Sequence, residues 1–151
     1  MRYHQLKDIY QHVTEINQEL NDLYVHFLEN TKDERTRIFL HYIIEKQTEN
    51  ILDIKRLIND EAIGVLSTWI DEDIEHKVSE SIISFKENSD VNITTVLDVT
   101  TQIRLELNDW LNIIKALMPS ETVKTHLENL IELQSAKAQQ IIHAANRMDD
   151  I

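Results

Sequence analysis

The chain of 151 residues contains no cysteine, a single glycine (Gly64) and a single proline (Pro119). Without cysteine, disulfide frameworks, thiolate metal sites and cysteine nucleophiles are excluded. Glycine and proline are the residues that most often interrupt helices and form tight turns, so their scarcity favours long helices over a sheet with many turns. A glycine-rich loop that holds nucleotide phosphates is excluded for the same reason.

Basic residues are also few, with 15 Lys and Arg against 27 Asp and Glu and a formal net charge of −12. A surface of this charge repels phosphate, so we expect neither nucleic acid nor an anionic membrane as a partner. The first residues, 1–13, lack the apolar core of a signal peptide, and no stretch approaches the ~18 apolar residues of a membrane span. These absences predict a cytoplasmic protein.

Two amphipathic helices are predicted in the first part of the chain. The first covers about 3–30 and the second extends to about 60, because apolar residues recur at steps of three and four. Thr31 and Glu34 have the spacing of a capping box, which predicts that the second helix starts at Thr31. The apolar positions of the two helices are Leu6, Ile9, Val13, Ile16, Leu20, Leu23 and Phe27, followed by Leu40, Ile43, Ile44, Ile51, Ile54 and Ile58.

Two further helices are predicted after a less regular segment at about 61–92, in which a shorter helix covers about 72–88. The third long helix must end near Met118, because Pro119 disfavours helical geometry in the residue before it. The fourth follows at once and runs to about 148. Their apolar positions are Val96, Ile103, Leu107, Trp110, Ile114 and Leu117, then Val123, Leu127, Leu130, Ile131, Ala138, Ile141 and Ala145.

An internal repeat relates the two pairs of helices. Glu19-Leu-Asn-Asp22 recurs as Glu106-Leu-Asn-Asp109, and the same offset without a gap gives thirteen identities between 14–59 and 101–146. Chance would give roughly three. Shared apolar periodicity does not explain matches of Glu, Asn, Asp and Gln. We therefore interpret the chain as a duplicated helical hairpin, with copies at about 3–60 and 93–148 in a single domain over 1–151.

Two hairpins joined by a long crossover form a four-helix bundle with one long connection, which is a ferritin-like topology. The hairpin, the crossover containing Trp69-Ile-Asp71 and the second hairpin resemble the ferritin-like superfamily, in particular its bacterial families of about this length. The resemblance implies an all-α fold. It also implies a di-iron or di-manganese centre, so redox or metal-handling activity is the alternative function.

The ligand motif of that centre, Glu-x-x-His on two helices, is not found in the sequence; the nearest match is Asp73-Ile-Glu-His76 in the crossover. The duplicated carboxylates do not converge in a helical projection. Glu45 lies roughly 160° from the core-facing Gln47, and Glu132 lies outside in the same way. Glu19 and Glu106 lie at the edge of the core. A metal site with an altered ligand set would draw on these residues: Glu19, Glu45, Glu106 and Glu132.

Four polar residues take the positions of Glu-x-x-His at mid-bundle, namely Gln47 with Asn50 and Gln134 with Lys137. Amides are weak ligands for hard divalent cations, and a lysine ammonium repels them. We therefore expect no bound metal, with iron or manganese as the alternative. The two glutamines are expected to hydrogen-bond across the core and fix helix register. A small apolar ligand bound near them is a further alternative.

Two other groups of potential ligands are interpreted as surface features. His41 and Glu45 form a helical pair four residues apart, which is half of a hemerythrin-type site, but the partner half is missing. The acidic segment 71–76, with sequence DEDIEH, suits a solvated helix start and is at most a weak cation site. No serine–histidine–acid arrangement can be assembled.

An apolar patch is predicted on the outer side of the second helix, formed by Ile38, Tyr42 and Leu52. The corresponding positions in the second hairpin are polar: Thr125, Asn129 and Gln139. This asymmetry predicts a neighbour on the second helix, either the crossover helix or a second copy of the chain. We therefore expect a non-catalytic interaction or assembly module that forms a homo-oligomer, with a dimer as the simplest case.

Overall fold

The computed structural model describes residues 5–60, 63–69, 76–88 and 90–149. Within these residues the chain forms four long and two short helices and no named strand. The long helices are α1 (Leu6–Asn30), α2 (Glu34–Asp60), α5 (Ile93–Ala116) and α6 (Glu121–Asp149), and the short ones are α3 (Ile63–Leu66) and α4 (Val78–Phe85). The predicted all-α architecture is confirmed. No helix in the described part of the chain combines the length and apolar character needed to cross a membrane.

The four long helices surround one hydrophobic core. α1 packs against α2, α5 against α6, and α2 against α6. On the fourth side α1 and α5 meet through the buried hydroxyls of Tyr24 and Thr100, which are 2.6 Å apart. The predicted apolar positions of α1 and α6 are buried, whereas Leu117 is exposed, because α5 ends one residue earlier, at Ala116.

The predicted start of the second helix at Thr31 is wrong. The backbone N–H of Thr31 donates to the carbonyl of Phe27, so Thr31 still belongs to the end of α1. Asp33 caps α2 instead, since its carboxylate accepts a hydrogen bond of 3.1 Å from the backbone N–H of Thr36. A charged carboxylate next to the positive end of the helix is a good N-cap. The hydroxyl of Thr36 also donates to this carboxylate, and this bond, together with the backbone one, holds the pKa of Asp33 below its usual value.

The described crossover helices are not the neighbour of the outer face of α2, which was one of the two alternatives left open by the sequence. α4 covers Val78–Phe85, shorter than the predicted 72–88, and residues 76 and 77 are not helical. It packs on α1 and α5, with Val78 and Ile82 buried, while α3 contacts α1 and α6. The described crossover helices therefore leave the outer face of α2 uncovered. Much of the acidic segment 71–76, together with residues 70 and 71 of the tryptophan motif, lies outside the described residues.

Candidate functional site

Four amide side chains meet in the middle of the bundle. Asn17 comes from α1, Gln47 and Asn50 from α2, and Gln134 from α6. Their exposed fractions are 4%, 3%, 2% and 6%, respectively. Gln47 and Asn50 are three residues apart on a helix, which directs both side chains to the same inner face. Buried amides need hydrogen-bond partners, and these four supply one another.

Asn17 is the centre of this amide cluster. Its Oδ1 accepts hydrogen bonds from Nε2 of Gln47 at 2.7 Å and from Nδ2 of Asn50 at 3.0 Å. Its Nδ2 donates to Oε1 of Gln134 at 3.0 Å and to the backbone carbonyl of Val13 at 2.8 Å. The expected link between Gln47 and Gln134 therefore runs through Asn17 and not directly between the two side chains. Sequence analysis missed Asn17 because its counterpart in the second hairpin is Arg104, so the repeat gave no signal there.

Asn50 closes the cluster on the side of α6. Its Nδ2 lies 3.3 Å from Oε1 of Gln134, and its Oδ1 accepts a bond of 3.1 Å from Nε2 of Gln134. Oδ1 of Asn17 and Oε1 of Gln134 thus accept two hydrogen bonds each, which uses both lone pairs of each carbonyl oxygen. These two oxygens have no acceptor capacity left for a cation.

Lys137 lies beside the amide cluster and links α6 to α2. Its Nζ is 3.4 Å from Oε2 of Glu49 and 3.4 Å from Oδ2 of Asp53, and its side chain is 14% exposed. Hydrogen bonds from Lys46 and Lys137 hold the pKa of Glu49 below its usual value. The ammonium of Lys137 is therefore neutralised by carboxylates on the neighbouring helix.

Arg104 supplies a second cation from α5. Its side chain is half-buried, and its Nε is fully buried without a hydrogen-bond partner. Among the described residues no carboxylate lies within salt-bridge distance of its guanidinium. Arg104 differs in this respect from Lys137, whose charge is compensated.

These side chains surround a small cavity of about 30 Å³ at mid-bundle. Its polar lining includes the amide cluster, Arg104, Lys137 and Asn108, and its apolar lining includes Leu107 and Ala138. A cavity of this size holds about two water molecules or one small ligand.

The predicted alternative metal ligands lie elsewhere. Glu19, Glu45 and Glu132 are exposed. Glu106 is half-buried and accepts hydrogen bonds from Ser81 of α4 at 3.2 Å and from Gln102 at 3.1 Å. Within the described ranges no three His, Cys, Asp or Glu side chains are grouped so that they could hold a metal ion. His41 is exposed on α2, as is Glu45.

A pair of histidines between α1 and the crossover was not predicted. Nε2 of His12 lies 2.6 Å from Nε2 of His76, and the ring of Trp110 packs against both imidazoles. Nδ1 of His76 accepts a hydrogen bond of 3.1 Å from the backbone N–H of Val78. Burial, with a smaller contribution from His12, lowers the pKa of His76 to about 4. No sequence spacing signals this pair, since the two residues are far apart in the chain.

The outer face of α2 carries exposed apolar side chains. Ile38 is 51% exposed and Leu52 is 48% exposed. Tyr42 is half-buried against the core, and the ammonium of Lys46 lies 5.6 Å from its ring centroid. Two of the three predicted interface residues are therefore open to solvent in the single chain.

The chain is similar in structure to a solved protein from Thermotoga maritima that is described as a ferritin-like diiron-carboxylate protein. The TM-score is 0.60 at 10% sequence identity, over 97% of this chain and 98% of the other. The chain has the ferritin-like fold. No family model matches the sequence, and no curated protein matches it. At this identity the likeness establishes the ferritin-like architecture and not an activity.

The residues at mid-bundle do not fit a ferritin-like metal centre. Such a centre takes a Glu from each of two helices and Glu-x-x-His from each of the other two. Here α1 and α5 contribute an amide and a guanidinium, and α2 and α6 contribute three amides and an ammonium. Carboxylate and imidazole donors are lacking in this set, and its two cations repel a metal ion. The six residues that line the cavity from these positions are Asn17, Gln47, Asn50, Arg104, Gln134 and Lys137.

Proposed function

We propose that this chain is a non-catalytic ferritin-like bundle that acts as an interaction and assembly module. In this proposal the mid-bundle polar residues have a structural role, which replaces the metal chemistry of ferritin-like di-iron proteins. The observation that carries the proposal is the closed amide cluster formed by Asn17, Gln47, Asn50 and Gln134.

The hydrogen bonding of this cluster supports a structural role. A cation at this position would have to break bonds of 2.7 to 3.3 Å among buried amides before it could bind. Each broken bond leaves a buried polar group unsatisfied, at a cost of about 1–3 kcal/mol. The ammonium of Lys137 and the guanidinium of Arg104 add electrostatic repulsion. The cost of metal binding is therefore high and the ligands that would offset it are missing.

A polar cluster inside an apolar core also specifies how helices pair. Sliding α2 along α1 by one turn would separate Gln47 and Asn50 from Asn17 and leave several amides unpaired. Buried polar residues fix register and orientation in this way in coiled coils. We propose the same role here, with the cluster holding α1, α2 and α6 in one alignment.

The interaction role rests on the outer face of α2. Ile38 and Leu52 are each about half exposed, and the described crossover helices pack on other sides of the bundle. An isologous dimer in which two α2 faces meet would remove this apolar surface from water on both subunits. We propose such a homodimer as the assembled state.

The metal part of the proposal is tested by elemental analysis of protein expressed with iron, manganese and zinc supplied and purified without chelator. We expect well below one metal ion per chain, and the same urea unfolding curve with and without EDTA. Near-stoichiometric iron or manganese, lost on treatment with EDTA together with a shift of the unfolding midpoint, would contradict the proposal. It would support the redox or metal-handling alternative.

A further inference from the structure

Arg104 lines a cavity inside the bundle, and no carboxylate of the described residues lies within salt-bridge distance of its guanidinium. Nε of Arg104 is buried and has no hydrogen-bond partner. Burial of an N–H donor without a hydrogen-bond partner is costly, so the buried Nε of Arg104 needs an explanation. Arg104 stands at the position that corresponds to Asn17 in the first hairpin, where the amide is fully hydrogen-bonded.

The polar groups around the cavity differ in how many of their hydrogen-bond donors and acceptors lack a partner. The amides of Asn17 and Gln134 are occupied by their neighbours. Tyr24 must donate its proton to Oγ1 of Thr100, because Thr100 donates its own proton to the carbonyl of Val96. Asn108 is different: its Oδ1 is buried without a partner, and its Nδ2 makes only a bond of 3.4 Å to Ser135. Around the cavity α5 thus supplies a free donor, the Nε–H of Arg104, and a free acceptor, Oδ1 of Asn108, and only the donor suits an anion.

We infer that this cavity binds a small carboxylate-type anion, such as acetate, formate or bicarbonate, with the guanidinium of Arg104 as its principal contact. The inference rests on the proposed absence of a metal centre, since a cation at mid-bundle would occupy the same space. A planar guanidinium binds a carboxylate through two parallel N–H···O bonds. Lys137 contributes less, because Glu49 and Asp53 already neutralise it and would repel an anion close to its Nζ.

The size of the cavity limits the ligand. A volume of about 30 Å³ has room for an anion of three or four heavy atoms and not for a nucleotide or a sugar phosphate. Apolar side chains, among them Leu107 and Ala138, form the rest of the wall and suit the methyl group of acetate. A ligand of so few atoms binds weakly, with a dissociation constant in the micromolar to millimolar range.

Saturation-transfer NMR with acetate tests the inference. Irradiation of the protein should transfer saturation to the acetate methyl group at concentrations up to about 50 mM, which exceeds the dissociation constant expected for such a ligand. The signal should be lost in Arg104→Gln and kept in Arg147→Gln, which removes the same charge from an exposed position near the end of α6. Formate and bicarbonate should compete for the same site.

A second variant keeps the test valid if Arg104→Gln does not fold. Ala138→Val retains Arg104 and fills part of the cavity, so it should reduce the signal without removing the charge. Circular dichroism confirms that each variant is helical. Equal saturation transfer in the wild type, Arg104→Gln and Ala138→Val, or none in the wild type, would overturn the inference.

Different results would contradict the proposed function and the anion site. Stoichiometric metal in the purified protein would contradict the proposed function, whatever acetate does. A metal-free protein that shows no transfer to acetate would overturn only the anion site, and the amide cluster would keep its proposed structural role.

Discussion

Oδ1 of Asn17 lies 2.7 Å from Nε2 of Gln47 and accepts its hydrogen bond across the interface between α1 and α2. The same Nε2 lies 3.0 Å from the backbone carbonyl of Asn17, so one amide group of α2 holds both the side chain and the main chain of α1. Because Asn17 also bonds to Gln134, this contact connects three of the four long helices.

Replacing Gln47 by Leu should destabilise the fold. The substitution removes two hydrogen bonds to Asn17 and leaves its buried oxygens only partly satisfied. We expect a loss of about 1–3 kcal/mol in the free energy of unfolding, measured by urea denaturation. The control is Gln140→Leu, at an exposed position on α6, which should change stability by less than about 0.5 kcal/mol. Equal effects of the two substitutions would contradict the structural role of the cluster.

Restoring the ligands of a ferritin-like centre should create metal binding. Six substitutions give the ligand pattern of the di-iron proteins, a Glu on α1 and on α5 and Glu-x-x-His on α2 and on α6. We expect the variant to bind about two iron or manganese ions per chain, measured by elemental analysis. The substitutions are Asn17→Glu, Gln47→Glu, Asn50→His, Arg104→Glu, Gln134→Glu and Lys137→His.

The control for this variant carries five of the substitutions and keeps Arg104. It should bind less metal, because the guanidinium repels a cation and one of the carboxylate ligands is missing. A folded six-fold variant without metal would mean that these positions do not converge as ligands.

Lowering the pH from 7 to 5 should destabilise the protein through the histidine pair. The folded state depresses the pKa of His76 from 6.5 to about 4, and burial also lowers that of His12. Near pH 5 the unfolded state therefore binds more protons at His76 than the folded state. The contribution of His76 to stability is fully present above pH 6.5. It decreases as the pH falls below 6.5, and the decrease levels off below the folded-state pKa of about 4.

The nearby carboxylates reduce this effect without reversing it. Glu15, Glu19 and Glu106 raise the pKa values of the two imidazoles, but burial has the largest influence on both. We expect a loss of about 1 kcal/mol for His76 between pH 7 and 5, discounted for its partial exposure. Thermal unfolding at several pH values measures it. His76→Asn should flatten the dependence of stability on pH, while its amide oxygen can still accept the hydrogen bond from the backbone N–H of Val78. The control is His41→Asn, at an exposed position, which should leave this pH dependence unchanged.

Charged substitutions on the outer face of α2 should dissociate the proposed homodimer. Ile38→Glu and Leu52→Glu each bury two carboxylates in an isologous interface, because both subunits carry the substitution. We expect a shift from dimer to monomer in sedimentation equilibrium, with unchanged helical content. Ile113→Glu changes an equally exposed residue on α5 and should leave the dimer intact. A wild-type protein that is monomeric at high concentration would contradict the assembly proposal.

The sequence predicted the ferritin-like architecture because helix formation depends on local periodicity. Apolar residues such as Leu20 on α1 and Leu127 on α6 recur at helical spacing, and both are buried. The two hairpins also turn at corresponding places, since α2 starts at Glu34 and α6 at Glu121. Gln47, Asn50 and Gln134 could be assigned to the interior for the same reason. The start of α2 was predicted wrongly at Thr31, because Thr31 and Asp33 are both good N-caps and the sequence alone does not distinguish them.

Only the tertiary structure decided which side chains meet. Periodicity gives the direction of a residue around its own helix, but it contains no information on the rotation and offset of one helix relative to another. Asn17 therefore became visible as the centre of the cluster only when α1, α2 and α6 were packed together. The side of the bundle that α4 covers and the contact of His12 with His76 are likewise non-local. The sequence alone determined the helices and their inner faces, whereas packing determined the partners, because hydrogen bonds between helices depend on distances that a linear pattern does not specify.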